Sequence, residues 1–196
     1  RVLGAAILEQ GFLSSRFAVG FGVDPHVFPE GAVAFMERHR LDGRVFNTYH
    51  FGGYLMWRRW PANLVMIDGR YDAILFDEEL LEQYMEAHES AAAFDRLTTM
   101  YDVQLLVLDA TTRRRMMHIN RHPGWARVYW DSLAEVFVRR GERFAQVIAT
   151  LKQANLTKNI DLFLSCYSPE FKSLKEKKSA TLASWEQYDY RTLDYT

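Results

Sequence analysis

Residues 63–68 read Asn-Leu-Val-Met-Ile-Asp, and residues 103–108 read Val-Gln-Leu-Leu-Val-Leu. Each is a short, nearly continuous apolar run, the pattern of a strand covered on both faces. Upstream of the first run, Pro29 to His39 places Ala32, Ala34, Phe35 and Met36 on an apolar helical face and ends at Leu41-Asp42-Gly43. Arg44 to Asn47 predicts a short strand, Gly52-Gly53 a turn, and the residues through Trp57 a brief helix. Downstream, Asp77 to His88 predicts a helix with Asp77, Glu78 and Glu79 at its positive end. Ala91 to Met100 and Thr111 to Asn120 predict two more helices. Trp125 to Trp130 and Ala134 to Arg139 predict a hairpin around Asp131-Ser132. Gly141 to Gln153, Asn159 to Tyr167 and a stretch starting near Ala180 predict a helical ending. Strand and helix alternate, so the expected fold is α/β: a three-layer sheet with helices on both faces and a helical C-terminal extension.

The totals narrow the class. Of 196 residues, 48% are hydrophobic and 25% charged, which excludes a disordered or fibrous chain. A net charge of −1 supplies no basic footprint for nucleic acid. The one cysteine, Cys166, excludes an internal disulfide framework and a cysteine-rich zinc site. Lysine and arginine usage divides the chain. Through Arg143 every such residue is arginine, whereas all six lysines fall between Lys152 and Lys178. With this seam, three segments are expected: a lead-in over 1–24, an α/β domain over 25–148 and a helical extension over 149–196. The lead-in reads either as an ordinary first helix or as a segment beginning just outside a membrane region. The extension carries too little apolar surface to stand alone and must lean on something else.

The densest chemistry lies in residues 46–72, FNTYHFGGYLMWRRWPANLVMIDGRYD. Adjacent glycines permit a sharp turn or a close backbone approach. Asp68 and Arg70 follow the apolar run at its carboxyl end, where open α/β sheets bind ligands. Asn47, Tyr49, His50, Tyr54, Trp57, Asp68 and Arg70 are therefore the candidate binding residues, suited to a sugar or a peptide. A closed aromatic core with Asp68 and Arg70 clamping a loop is the competing reading. No catalytic residue, metal ligand or cofactor site is expected. His118 and His122 are four apart, but Pro123 ends their helix and no acidic ligand is near in sequence. Arg113-Arg114-Arg115 reads as a solvated face, Asn155-Leu156-Thr157 as a chance sequon, and Cys166 as a buried, inert thiol. No G-x-S-x-G, P-loop or G-x-G-x-x-G motif is present.

The order FN-x-Y-x-x-GGYL-x-W (46–57) and then V-x-IDGR (65–70) resembles the extracytoplasmic C-terminal domain of bacterial polytopic membrane proteins. These belong to the lipid-linked-sugar glycosyltransferase superfamily, the mannosyltransferase-like and oligosaccharyltransferase-like group. The likeness runs over residues 25–140, taking in VQLLVLD and His122-Pro123-Gly124-Trp125. A looser echo aligns Tyr49 to Tyr54 with the WWDYG acceptor patch. The acidic residue of that patch has no counterpart, with His50 nearby instead, which argues against acceptor-peptide recognition of that type. The resemblance implies that the catalytic and metal-binding carboxylates lie beside membrane helices elsewhere in the protein, so this chain is not catalytic alone. It implies a place on the extracytoplasmic, periplasmic face of a bacterial membrane. The implied partners are the membrane-embedded region of the same protein and a lipid-linked sugar or its acceptor. Residues 142–196, through NIDLFLSCYSPEFKS and Trp185, more weakly resemble the opening of a nuclear-transport-factor-like cone domain.

Overall fold

A computed structural model describes residues 27–69, 78–167 and 174–187. In chain order the elements are α1 (Glu30–Arg38), β1 (Gly43–Asn47), a 3-10 turn (Tyr49–Phe51), α2 (Gly52–Arg59) and β2 (Asn63–Val65). Then come α3 (Glu78–Glu89), α4 (Ala91–Met100), β3 (Val103–Asp109), α5 (Ala110–Arg115), a 3-10 turn (Met117–Arg121) and the hairpin β4 (Trp125–Trp130) and β5 (Ala134–Arg139). A last 3-10 turn (Glu142–Phe144) leads into α6 (Ala145–Leu156), α7 (Ile160–Ser165) and α8 (Leu174–Gln187).

The five strands form one mixed sheet in the order β2-β1-β3-β5-β4. β2, β1 and β3 run parallel, and β5 returns antiparallel to both β3 and β4. Alternation along each strand sends side chains to two separate cores. Val45, Leu105, Val107, Val136 and Val138 pack on one face beneath α1, α2, α6 and α7. Phe46, Leu106, Leu108 and Phe137 pack on the other beneath α3, α4 and the turn after α5. The fold is α/β, with helices on both faces of the sheet and a helical C-terminal extension.

Three local expectations are corrected. The 63–68 run is not an internal strand: β2 is an edge strand of three residues, with Leu64 exposed. The double glycine is not a turn but the first turn of α2, with Gly52 in helical conformation. The last helix begins at Leu174 rather than near Ala180. Among the described residues no helix is long and apolar enough to cross a membrane.

The C-terminal helices lean on the α/β sheet itself. Val147, Leu151, Phe163, Tyr167 and Trp185 belong to the same core as Phe35 and Val45. The end of α1 grips the end of α7: Arg38 donates to the Ser165 carbonyl at 2.9 Å and His39 Nε2 to the Cys166 carbonyl at 2.7 Å. Helix C-termini leave such carbonyls without intrahelical donors. Farther on, the Trp185 indole donates to Asn155 Oδ1 at 3.0 Å, so the sequon asparagine is a buried strut.

His39 and His88 are part of this framework, each donating to a backbone carbonyl. Burial pushes both below the ordinary histidine range, opposed by those hydrogen bonds, and burial lowers His118 as well. Between the folded-state values and about 6.5, the unfolded chain therefore binds more protons than the folded one. Stability should fall as pH drops through that window and level off below it. The thermal midpoint measured from pH ~7.5 to ~5 should decline, and His39→Gln, which keeps an N–H donor, should flatten the slope.

Candidate functional site at the carboxyl edge of the sheet

The parallel strands bring Asn47, Val65 and Asp109 to one edge of the sheet. From that edge the chain leaves in two directions. After β1 it packs Phe51, Tyr54 and Leu55 against the first face; after β3 it packs Met116 and Ile119 against the second. Connections that part in this way make the ends of β1 and β3 a topological switch point, and in open α/β sheets such a point is where a ligand crevice lies.

The crevice is built from first-polar-residue positions. Thr48, directly after β1, accepts from the Asp109 backbone N–H at 3.0 Å and donates to Asp109 Oδ1 at 3.4 Å. The same Oδ1 caps α5 by accepting from the Thr112 N–H at 2.7 Å. This leaves Oδ2 directed towards His50, whose Nε2 lies 3.9 Å away. The imidazole is half exposed (51%) while the Asp109 side chain is largely covered (18%). A carboxylate held from behind, with a solvent-facing imidazole in front, can hydrogen-bond a hydroxyl-rich ligand. Beneath it, the Tyr84 hydroxyl donates to the Asn47 carbonyl at 2.9 Å. Burial raises that phenol well above its usual range, so it stays a neutral donor.

The loop after β2 folds back onto the start of α2. The Asn47 amide acts as a surrogate peptide unit: Nδ2 donates to the Ile67 carbonyl at 2.8 Å and Oδ1 accepts from the Met66 N–H at 3.0 Å. A Cβ on Gly52 would stand 2.1 Å from that carbonyl and 2.7 Å from Asp68 Cα. Only glycine permits this approach. Asp68, almost fully buried, thereby lies beside the positive end of α2, a favourable position for a carboxylate.

The seven sequence candidates occupy distinct settings. His50 faces the crevice, and Asp68 lies buried in the segment folded against α2. Asn47 is fully buried, with its amide committed to backbone. Tyr49 packs half-buried against the second core. Tyr54 is buried in the first, stacked on Phe28 at 5.2 Å and hydrogen-bonded by Arg58 at 2.9 Å. Trp57 stands outside, 67% exposed. Arg70 lies outside the described residues. Sequence reasoning passed over Thr48, Tyr84 and Asp109. Asp109 carried a usable signal: it is the first polar residue after an apolar strand and stands three before Thr112, an N-cap spacing.

The other sequence candidates resolve simply. His122 Nε2 lies 2.8 Å from Asp95, an acidic neighbour that only the fold supplies. Even so, no group of three or more His, Cys, Asp or Glu among the described residues is arranged to hold a metal ion. Arg113 pairs with Glu135 at 2.8 Å and Arg115 with Glu89 at 2.7 Å. Cys166 is buried, and burial raises its thiol.

No protein-family model, curated protein or solved structure matches the chain. Fold and edge together define the class: a mixed-sheet α/β domain with the polar residues Thr48, His50 and Asp109 gathered at its topological switch point.

Gly52→Ala should destabilise the protein by about 2–4 kcal/mol, because backbone must move to admit the methyl group. Asn47→Ala should cost about 2–3 kcal/mol by leaving the buried Ile67 carbonyl and neighbouring groups without partners. Chemical denaturation reads both, and Gly53→Ala, with open space around its Cβ position, is the near-neutral control.

Proposed function

We propose that this chain is an accessory, ligand- or acceptor-proximal extracytoplasmic domain of a bacterial membrane glycosyltransferase-like protein, not catalytic by itself. It would work on the periplasmic face, beside the membrane-embedded region of the same protein and a lipid-linked sugar or its acceptor. Two things support the reading: the resemblance carried by residues 46–57 and 65–70, and the hydroxyl-binding chemistry of His50 and Asp109 at the switch point. The second carries it. This edge offers a carboxylate acceptor and a solvent-facing imidazole, and among the described residues no activated nucleophile stands beside them. Such a set suits holding a hydroxyl-rich ligand for chemistry performed elsewhere.

A second reading, a non-enzymatic envelope interaction module, is favoured by one observation. Trp57 (67%), Trp60 (66%) and Leu64 (39%) are exposed near the sheet edge formed by β2. Exposed indoles at such an edge are characteristic of protein-binding surfaces.

The isolated chain should bind a water-soluble, short-chain polyprenyl phosphate sugar, or its acceptor glycan, without turning it over. His50→Ala should weaken that binding about tenfold, or 1.4 kcal/mol, with an unchanged thermal midpoint. Calorimetric titration decides the matter. Equal binding by the variant, or turnover by the isolated chain, would reject the reading. Loss of association with the membrane region in a Trp57→Ala/Trp60→Ala variant that still binds sugar would favour the interaction module.

A further inference from the structure

Lys177 is buried on α8, only 6% exposed, whereas Lys152, Lys158, Lys175 and Lys178 are not buried. Its Nζ lies 3.4 Å from the centroid of the Trp130 ring, 5.4 Å from Tyr167 and 5.9 Å from both Tyr129 and Phe163. The same ammonium donates to the Trp130 carbonyl. The four rings touch one another, with Phe163 5.7 Å from Trp130 and 5.4 Å from Tyr167, and Tyr129 5.5 Å from Tyr167. They come from the end of β4 and from α7 with the residues just after it.

The neighbouring carboxylates have other partners. Asp131 accepts from the Tyr129 hydroxyl and from the Leu133 and Ala134 N–H groups, while Glu135 pairs with Arg113 and Arg127. Among the described residues Lys177 makes no ion pair. Burial pushes its ammonium down to about 7, with Asp131 and Glu135 opposing the shift and Arg127 adding to it. Filling a hydrophobic gap does not call for an amine, since an aliphatic side chain would do so without desolvating a charge. Four ring faces and a carbonyl around one nitrogen are instead the surroundings that hold an organic cation.

We propose that the Trp130–Tyr129–Phe163–Tyr167 box is an alkylammonium-binding site, occupied in this structure by the chain's own Lys177. The lysine acts as a tethered ligand: its head group docks α8, and a primary or quaternary ammonium supplied in trans takes the vacated box. This site lies two strands from the His50–Asp109 crevice and stands independently of the function proposed above.

Two experiments test it. In the full chain, Trp130 is replaced by mono-, di- and trifluorotryptophan, which weaken the ring's attraction for cations while nearly preserving its shape. Hydrogen-exchange protection of residues 174–187 should drop stepwise, about tenfold over the series. A flat series overturns the proposal. Lys177→Ala then empties the box. Tetramethylammonium should raise the variant's thermal midpoint saturably and alter its tryptophan fluorescence, whereas neopentyl alcohol, its neutral counterpart in shape, should do neither. Equal responses to both compounds, or none to either, overturn it. Should this variant not fold, the fluorinated series decides alone.

Discussion

The carbonyl of Ile67 is the point on which the functional end of the molecule turns. It is caught between the Asn47 amide and the bare Cα of Gly52: a side chain at 52 would displace backbone, and loss of the amide would strip the carbonyl of its donor. Through it, the end of β1, the exit from β2 and the first turn of α2 become one rigid unit. The buried Asp68 follows by one residue, so its place beside α2 is a consequence of that contact. Thr48 also follows by one residue on the other chain segment, and it fixes Asp109. The crevice thus inherits its walls from a main-chain constraint rather than from the side chains that face solvent.

The opposite end of the same strand pair is held by a matching device. Asn63 donates to the Leu41 and Gly43 carbonyls at 3.1 Å each, and Arg59 donates to Asn63 Oδ1 at 2.7 Å and to Asp42 at 2.8 Å. An edge strand of three residues makes too few ladder bonds to stay in register unaided. Side-chain amides at both ends, Asn47 and Asn63, supply the missing pairing. Because these polar groups are buried and partnered, they add order as well as satisfying the backbone. His50 can then be the exposed member of an otherwise fixed assembly.

How far the sequence revealed this depends on the range of the interaction. Elements set by local pattern were legible: Val103–Leu108 as a buried strand, Ala91–Met100 as a helix, and the hairpin around Asp131-Ser132 all appear where periodicity and turn residues put them. The 63–68 run misled because apolar composition cannot distinguish a central strand from an edge strand whose last residues dive into a core. Ile67 is buried without belonging to a strand. Gly52-Gly53 misled for a related reason. Its glycine is required by a carbonyl fifteen residues away, which no local rule registers. Lys177 was invisible for the same cause, since in sequence it is one member of a charged run and its rings lie on other elements.

The aromatic cluster of residues 46–60 shows why density in sequence is a poor guide to a binding wall. Phe46 and Tyr49 pack on one face of the sheet, Phe51 and Tyr54 on the other, and Trp57 and Trp60 reach solvent. This dispersal is what a strand passing into a helix must produce, because the side-chain repeat changes from two residues to 3.6 within the segment. Rings adjacent in the chain are thereby dealt to three environments. What the fold does gather is the set of polar residues that end parallel strands, for all of those ends must lie on one edge. For a sheet of this topology, the carboxyl-terminal residue of each strand and its immediate successor are better starting points for a site than any local concentration of aromatics. Thr48 and Asp109 meet that criterion, and His50 follows two residues after Thr48.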